Sequence, residues 1–140
     1  MKQQIKATNP VQLIITNNKK QILLVKRSKE EVESDKWSIP GGCPEGKETL
    51  ENTLKREIKE ELNCQVLEAN YFKSYFYVFS RRLFVRPIYF YGKIKGKIKL
   101  CSELSEYKWF NQNELKKLKF AFNQKQVIRN FLSFFDHKLK

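Results

Sequence analysis

Glu57, Glu60 and Glu61 place three carboxylates within five residues. On a helix turning about 100° per residue, Glu60 and Glu61 flank Glu57, and the three span roughly 100° of the helix surface. Like charges held this close repel one another. The cluster therefore wants a counter-charge, and a divalent cation is the natural one. The preceding run Gly41-Gly42-Cys43-Pro44-Glu45-Gly46 reads as a glycine-rich turn that delivers the chain into this helix. Gly41 and Gly42 carry no side chain, so backbone there can approach a metal ion or a phosphate closely. The chemistry such a pattern suits is metal-assisted attack on phosphate.

A plainer reading exists for each glutamate alone. Charged residues make up 31% of the chain, and Glu51, Lys55 and Lys59 fit an ordinary ladder of i, i+4 surface pairs. Glu48 opens the helix, where a carboxylate has a dipole-stabilising place in any case. The glycine turn and Arg56 tip the balance to function. A guanidinium beside crowded carboxylates can hold one of them through a bidentate bond.

These residues need a scaffold. Val11 to Ile15 reads as a strand, residues 17–20 as a turn, and Gln21 to Lys26 as the hairpin partner. Glu30 to Asp35 is polar and loop-like, and Trp37 to Ile39 is a short extended piece ended by Pro40-Gly41-Gly42. The motif helix is expected from Thr49 to Leu62, with Leu50, Leu54, Ile58 and Leu62 as the apolar stripe beside the acidic face. Two long β stretches follow, near Tyr71 to Phe79 and Leu83 to Lys93. In Lys93 to Lys99 lysine alternates with isoleucine or glycine, the pattern of a half-exposed hairpin with solubilising edge charges. A strand at Tyr107 to Phe110, a segment at Asn113 to Leu118 and a helix from Asn123 to Phe135 complete the pass.

A chain of 140 residues with 41% apolar and 14% aromatic content can bury a core, and it is expected to form one domain over 1–140. No apolar run reaches transmembrane length, and the first residues lack a signal-peptide core. No membrane partner is expected. Cys43, Cys64 and Cys101 have neither metal-ligand nor disulfide spacing, which points to free thiols in a reducing cytoplasm. His137 lies in a polar tail and is assigned no role. The formal net charge of +13 favours anionic partners. Most of the lysines read as surface charge, within a field that helps draw polyphosphate toward an acidic metal site.

In order, Gly42, Glu48, Arg56, Glu57, Ile58, Glu60, Glu61 and Cys64 resemble the Nudix box of the Nudix hydrolases. Trp37-Ser38-Ile39-Pro40-Gly41-Gly42 is similar to the family's lead-in to that motif. One position departs: Asn63 stands where the family has glycine. A left-handed backbone is wanted there, and asparagine is the next most tolerated residue, so a small stability cost is expected. Pattern alone gives a mixed fold with one sheet. The resemblance implies more, an α/β class fold of the α/β/α sandwich type with a mixed β-sheet between helices.

The resemblance also implies water attack on the pyrophosphate linkage of a nucleoside diphosphate derivative. Glu57, Glu60 and Glu61 would then be the catalytic and metal-binding set, with Arg56 beside them and Gly41 and Gly42 close to metal and phosphates. Oxygen-only ligands suit Mg2+ or Mn2+. Either Glu57 or Glu61 could serve as general base. Glu106 is the candidate metal carboxylate from outside the box, with Glu103 second.

For the substrate, Arg27 lies fifteen residues before Gly42, where MutT-type members carry a phosphate-contacting arginine. It reads equally as a strand-end charge. Phe120-Ala121-Phe122-Asn123-Gln124 is similar to the stretch that supplies a purine-reading asparagine in such members. Asn123 has the right donor and acceptor, and as a helix N-cap it has a structural reading too. Phe120 and Phe122 fit either base stacking or core packing. Sister-group signatures match less well: the coenzyme A type would need an arginine and a glycine at Val32 and Lys36, and RNA 5′-pyrophosphohydrolases usually carry glutamine where Pro40 stands. The expectation is a MutT-type enzyme converting a nucleoside triphosphate to monophosphate and pyrophosphate. A dinucleotide-type substrate, an RNA 5′ end and a non-catalytic binding module are the alternatives. A small nucleotide is the favoured partner and nucleic acid a less favoured one. The sequence leaves oligomeric state open.

Overall fold

The computed structural model describes residues 4–138. The strands begin with β1 (Lys6–Thr8), β2 (Val11–Thr16), β3 (Ile22–Arg27), β4 (Trp37–Ser38) and β5 (Gly41–Gly42), followed by helix α1 (Leu50–Leu62). Strands β6 (Gln65–Ser74), β7 (Tyr77–Ser80), β8 (Leu83–Val85), β9 (Ile88–Lys95) and β10 (Leu104–Phe110) come next. Helices α2 (Gln112–Leu115) and α3 (Gln124–Lys138) follow.

A strand covered on both faces needs apolar residues at every position, and β2 is buried throughout. It pairs in parallel with β9 and antiparallel with β3, so the main sheet is mixed, in the order β10-β3-β2-β9-β6. The short β4 and β5 attach to β3 and β2. Side chains of β2 and β3 alternate between two cores. Ile14, Ile22 and Leu24 meet Val127, Ile128 and Phe131 of α3. Val11, Leu13, Ile15, Leu23 and Val25 meet Leu54, Ile58 and Leu62 of α1 on the opposite face. The result is helix, sheet, helix: the α/β/α sandwich. Burial of Leu54, Ile58 and Leu62 contributes about 1.5–3 kcal/mol per side chain, whereas Leu50, expected in the same stripe, sits in the first turn beyond the reach of the sheet and is exposed. No helix among the described residues is long and apolar enough to cross a membrane.

The β stretches depart from the expected pattern in ways that matter to the site. The stretch near Tyr71 to Phe79 is two strands in two sheets: β6 ends at Ser74, and β7 joins β8 and β1 in a separate three-stranded sheet, order β1-β8-β7. The stretch from Leu83 to Lys93 breaks likewise at Arg86-Pro87, where proline cannot donate to a ladder. Lys93 to Lys95 end β9, an internal strand flanked by β2 and β6, and residues 97–100 are not strand. Ile98 and Leu100 instead pack onto the α1-side core, and the Lys99 N–H donates to Leu62 O at 2.9 Å. Helix α2 is a single turn with a capping box between Asn111 and Glu114.

Candidate active site

Helix α1 is stopped cleanly at both ends, which fixes the direction of its acidic face. Thr49 caps the start by accepting the Asn52 N–H at 3.1 Å. Asn63 ends it in the left-handed conformation, φ 59°, with its N–H on Lys59 O. With Leu54, Ile58 and Leu62 turned to the core, Glu57 and Glu61 project together, one turn apart, toward Gly41 and Gly42. Both glycines are required by space. A Cβ on Gly41, whose φ is +149°, would lie 2.2 Å from Val11 O, and one on Gly42 would lie 2.4 Å from the Glu57 carboxylate carbon.

Arg56 ties the glycine turn to the helix. Its Nε and Nη2 donate to the two oxygens of Glu48 at 2.7 and 2.9 Å, a bidentate pair, and Nη2 also donates to Cys43 O at 3.0 Å. Nη1 donates to Glu57 at 2.8 Å and to Glu60 at 3.3 Å. The hydrogen bonds from Arg56 and the Glu45 N–H hold the Glu48 carboxyl down at about 2, and the same contacts raise Arg56. Glu48 therefore acts chiefly as the anchor of Arg56, ahead of the Thr49 cap.

Glu61 is the deeply placed carboxylate. Burial, then the neighbouring Glu57 charge, push it up to about 8, against the Gly41 N–H it accepts and the field of Arg27. Two carboxylates forced together in this way favour a cation between them. Gly42, lacking the Cβ that would strike Glu57, leaves the approach open. The donors are all oxygen, which suits a hard divalent ion such as Mg2+ or Mn2+, so Glu57 and Glu61 fit one. Glu60 stands apart: it is exposed, pairs with Arg56 and lies off the cavity wall. Accordingly, among the described residues no three His, Cys, Asp or Glu side chains converge on one point.

Glu57 and Glu61 line a cavity of about 530 Å³. Arg27 reaches its wall and pairs with Glu31 at 3.3 Å. Glu103 also lines it. Glu106 does not; its carboxylate lies 4.0 Å from Lys26 Nζ on the strand surface. The β-bulge between Leu104 and Glu106 shifts the register at this point. Of the two carboxylates expected from outside the box, Glu106 first and Glu103 second, the structure brings Glu103 alone to the cavity.

Tyr77 and Phe79 of β7 and Phe122 form an aromatic wall, with Phe79 and Phe122 rings 5.5 Å apart. Phe122 has φ 54°, a conformation that bulky residues seldom adopt. Asn123 lies off this cavity, and its Oδ1 is buried without a hydrogen-bond partner, so its side-chain oxygen caps nothing. Two side-chain amides do line the cavity, Gln12 and Gln124, neither given a role by the sequence reading, and the more deeply buried is Gln124. Its Oε1 accepts the Ile39 N–H at 2.8 Å, and its side chain meets the Tyr89 hydroxyl. Gln12 holds the carbonyl of the same residue, donating to Ile39 O at 2.8 Å. The signal was a glutamine within a buried apolar strand, Val11-Gln12-Leu13, and it has the same logic as Gln124.

Comparison with known proteins agrees with this geometry. An 8-oxo-dGTP diphosphatase of Buchnera aphidicola subsp. Schizaphis graminum is 31% identical over 120 residues, 84% of this chain and 87% of its own. An ADP-ribose pyrophosphatase of Methanocaldococcus jannaschii is 30% identical over 117 residues, 79% of this chain and 65% of its own. The crystal structure of a MutT protein from Methanosarcina mazei Go1 superposes with a TM-score of 0.80 at 24% identity, covering 99% of both chains. The NUDIX domain family model matches residues 7–131. The chain belongs to the Nudix family and is a Nudix pyrophosphohydrolase.

Proposed function

We propose that this single-domain enzyme hydrolyses nucleoside triphosphates to a nucleoside monophosphate and pyrophosphate, with Mg2+ or Mn2+ held by Glu57 and Glu61. The observation that carries the reading is the mixed lining of one cavity: the paired carboxylates Glu57 and Glu61 with Arg27, together with the rings of Tyr77, Phe79 and Phe122. Its volume lies in the range of small-molecule sites, and a lining that combines carboxylates, an arginine and aromatic rings suits a polyphosphate joined to an aromatic base. When bound, the cation supplies positive charge against the phosphates and acidifies water.

The protein side chains do the rest. Arg27 binds a phosphate oxygen, and the aromatic wall stacks on the base. Arg56 holds Glu57 in place through Nη1, and through Glu48 and Cys43 O it fixes the glycine turn around the phosphates. A carboxylate oxygen of Glu57 or Glu61 takes the proton of the attacking water. Glu60 shares the Arg56 guanidinium with Glu57, and Glu103 is the cavity carboxylate best placed to assist from outside the box. The similarity to a relative named for ADP-ribose favours a dinucleotide-type compound as the second reading.

A panel of normal and 8-oxo purine triphosphates, ADP-ribose, coenzyme A and diadenosine polyphosphate, incubated with Mg2+ and resolved by chromatography, tests the proposal. Monophosphate from a triphosphate is expected. Turnover of ADP-ribose alone would keep the site and replace the substrate.

A further inference from the structure

The small β1-β8-β7 sheet has two faces, and only one is used by the cavity. Tyr77 pairs with Val85 in register, and both line the cavity, as do Phe79 and Leu83. Strand alternation turns the neighbouring pair, Val78 and Phe84, the opposite way. Phe76 joins them, its ring 5.9 Å from that of Phe84. Phe76 and Val78 are 57% and 56% exposed, so this outer face is an uncovered aromatic platform.

Its charge is one-sided. From Ala69 to Ser102 the chain carries no Asp or Glu and eight Lys or Arg. Arg81 and Arg82 form the exposed β7–β8 turn, and Arg86 leaves β8 with its guanidinium 5.6 Å above the Phe76 ring. None of these three arginines has a carboxylate partner among the described residues. The acidic loop near the sheet is already engaged elsewhere, Glu31 with Arg27 and Glu33 with Lys36.

The exposed Phe76 ring beside the half-buried Phe84 ring, among arginines without carboxylate partners, meets both needs of an unpaired nucleic acid strand: a surface for base stacking and cations for the backbone. A protein partner would need acidic side chains around an apolar centre, whereas the platform is small and its guanidinium already lies over a ring. We propose that the outer face of the β1-β8-β7 sheet, Phe76, Val78 and Phe84 together with Arg81, Arg82 and Arg86, binds single-stranded nucleic acid beside the mouth of the catalytic cavity. The surface is independent of which nucleotide the cavity hydrolyses, because none of these side chains lines it.

The test is fluorescence anisotropy of the full chain with labelled oligouridylate and oligothymidylate of about 12 nucleotides, over a range of salt. With about three phosphate contacts, affinity falls about 20-fold between about 50 and 200 mM salt. The double variant R82A/R86A lowers the salt slope by about 1.4, and F76S weakens binding about fivefold or more. Mononucleotide turnover and melting temperature are the controls and stay at wild-type values in both variants. Preference between the two oligomers identifies RNA or DNA as the strand bound. Absence of binding at low salt overturns the proposal, as does binding that both variants leave unchanged. Sedimentation that shows a dimer broken by F76S, with no oligomer bound, also overturns it and assigns the face to a second copy.

Discussion

Gly42→Ala separates the position of one carboxylate from the stability of the fold. The new Cβ would lie 2.4 Å from the Glu57 carboxylate carbon and 2.5 and 2.7 Å from its oxygens. Ordinary contact begins at 3.4 Å, so the carboxylate must retreat by about 1 Å, a misplacement worth about 100-fold in rate when it strikes a reacting geometry. That corresponds to about 2.7 kcal/mol of lost transition-state stabilisation. The colliding group is the end of a flexible side chain, so the fold adapts and the melting temperature moves by less than about 3 °C. Gly41→Ala is the counterpart. Its Cβ strikes backbone, 2.2 Å from Val11 O and 2.6 Å from Gln12 Cα, at a positive φ. Destabilisation of about 3 kcal/mol, or about 10 °C in melting temperature, follows there. Steady-state kinetics of pyrophosphate release and thermal melts on both variants decide the matter. Wild-type kcat/KM in a well-folded Gly42→Ala protein would refute the role given to Glu57.

Three further outcomes follow from the same contacts. Glu61→Gln abolishes turnover while the melting temperature holds or rises, since a buried group with a raised pKa loses its charge; retained turnover contradicts its place at the cation. Gln124→Ala leaves the Ile39 N–H and the Tyr89 hydroxyl unpaired in the interior and costs about 2–4 kcal/mol in urea unfolding, whereas Asn123→Ala is neutral in stability and in KM. Glu48 has a folded pKa of about 2 against an ordinary 4.5, so its contribution to stability is full above pH 4.5 and fades as pH falls toward 2. Urea midpoints of wild type and Glu48→Gln therefore differ at neutral pH and converge on acidification through that window; a constant gap contradicts the Arg56 pairing.

What the sequence made legible was local. The α1 stripe, the acidic face and the left-handed demand at Asn63 depend on neighbours within a turn or two, and spacing reports those directly. Gln124 escaped notice because its burial depends on Ile39, 85 residues away. Tyr71 to Phe79 reads as one strand because the run Tyr75-Phe76-Tyr77-Val78-Phe79 carries no turn residue at Tyr75-Phe76, where the chain in fact changes sheets. Only Pro87 signalled the matching break before β9. Glu103 and Glu106 could not be ranked from the sequence, since one bulge in β10 shifts the pairing between them.

The central claim is that the Glu57–Glu61 pair in the cavity directs water to the linkage between the nucleoside monophosphate and the rest of the polyphosphate chain. Phosphorus-31 NMR of a purine nucleoside triphosphate incubated with the enzyme and Mg2+ reads that bond directly. Equal growth of monophosphate and pyrophosphate signals, absent with Glu61→Gln, is the predicted result. Growth of nucleoside diphosphate and inorganic phosphate, or equal turnover by Glu61→Gln, would contradict it.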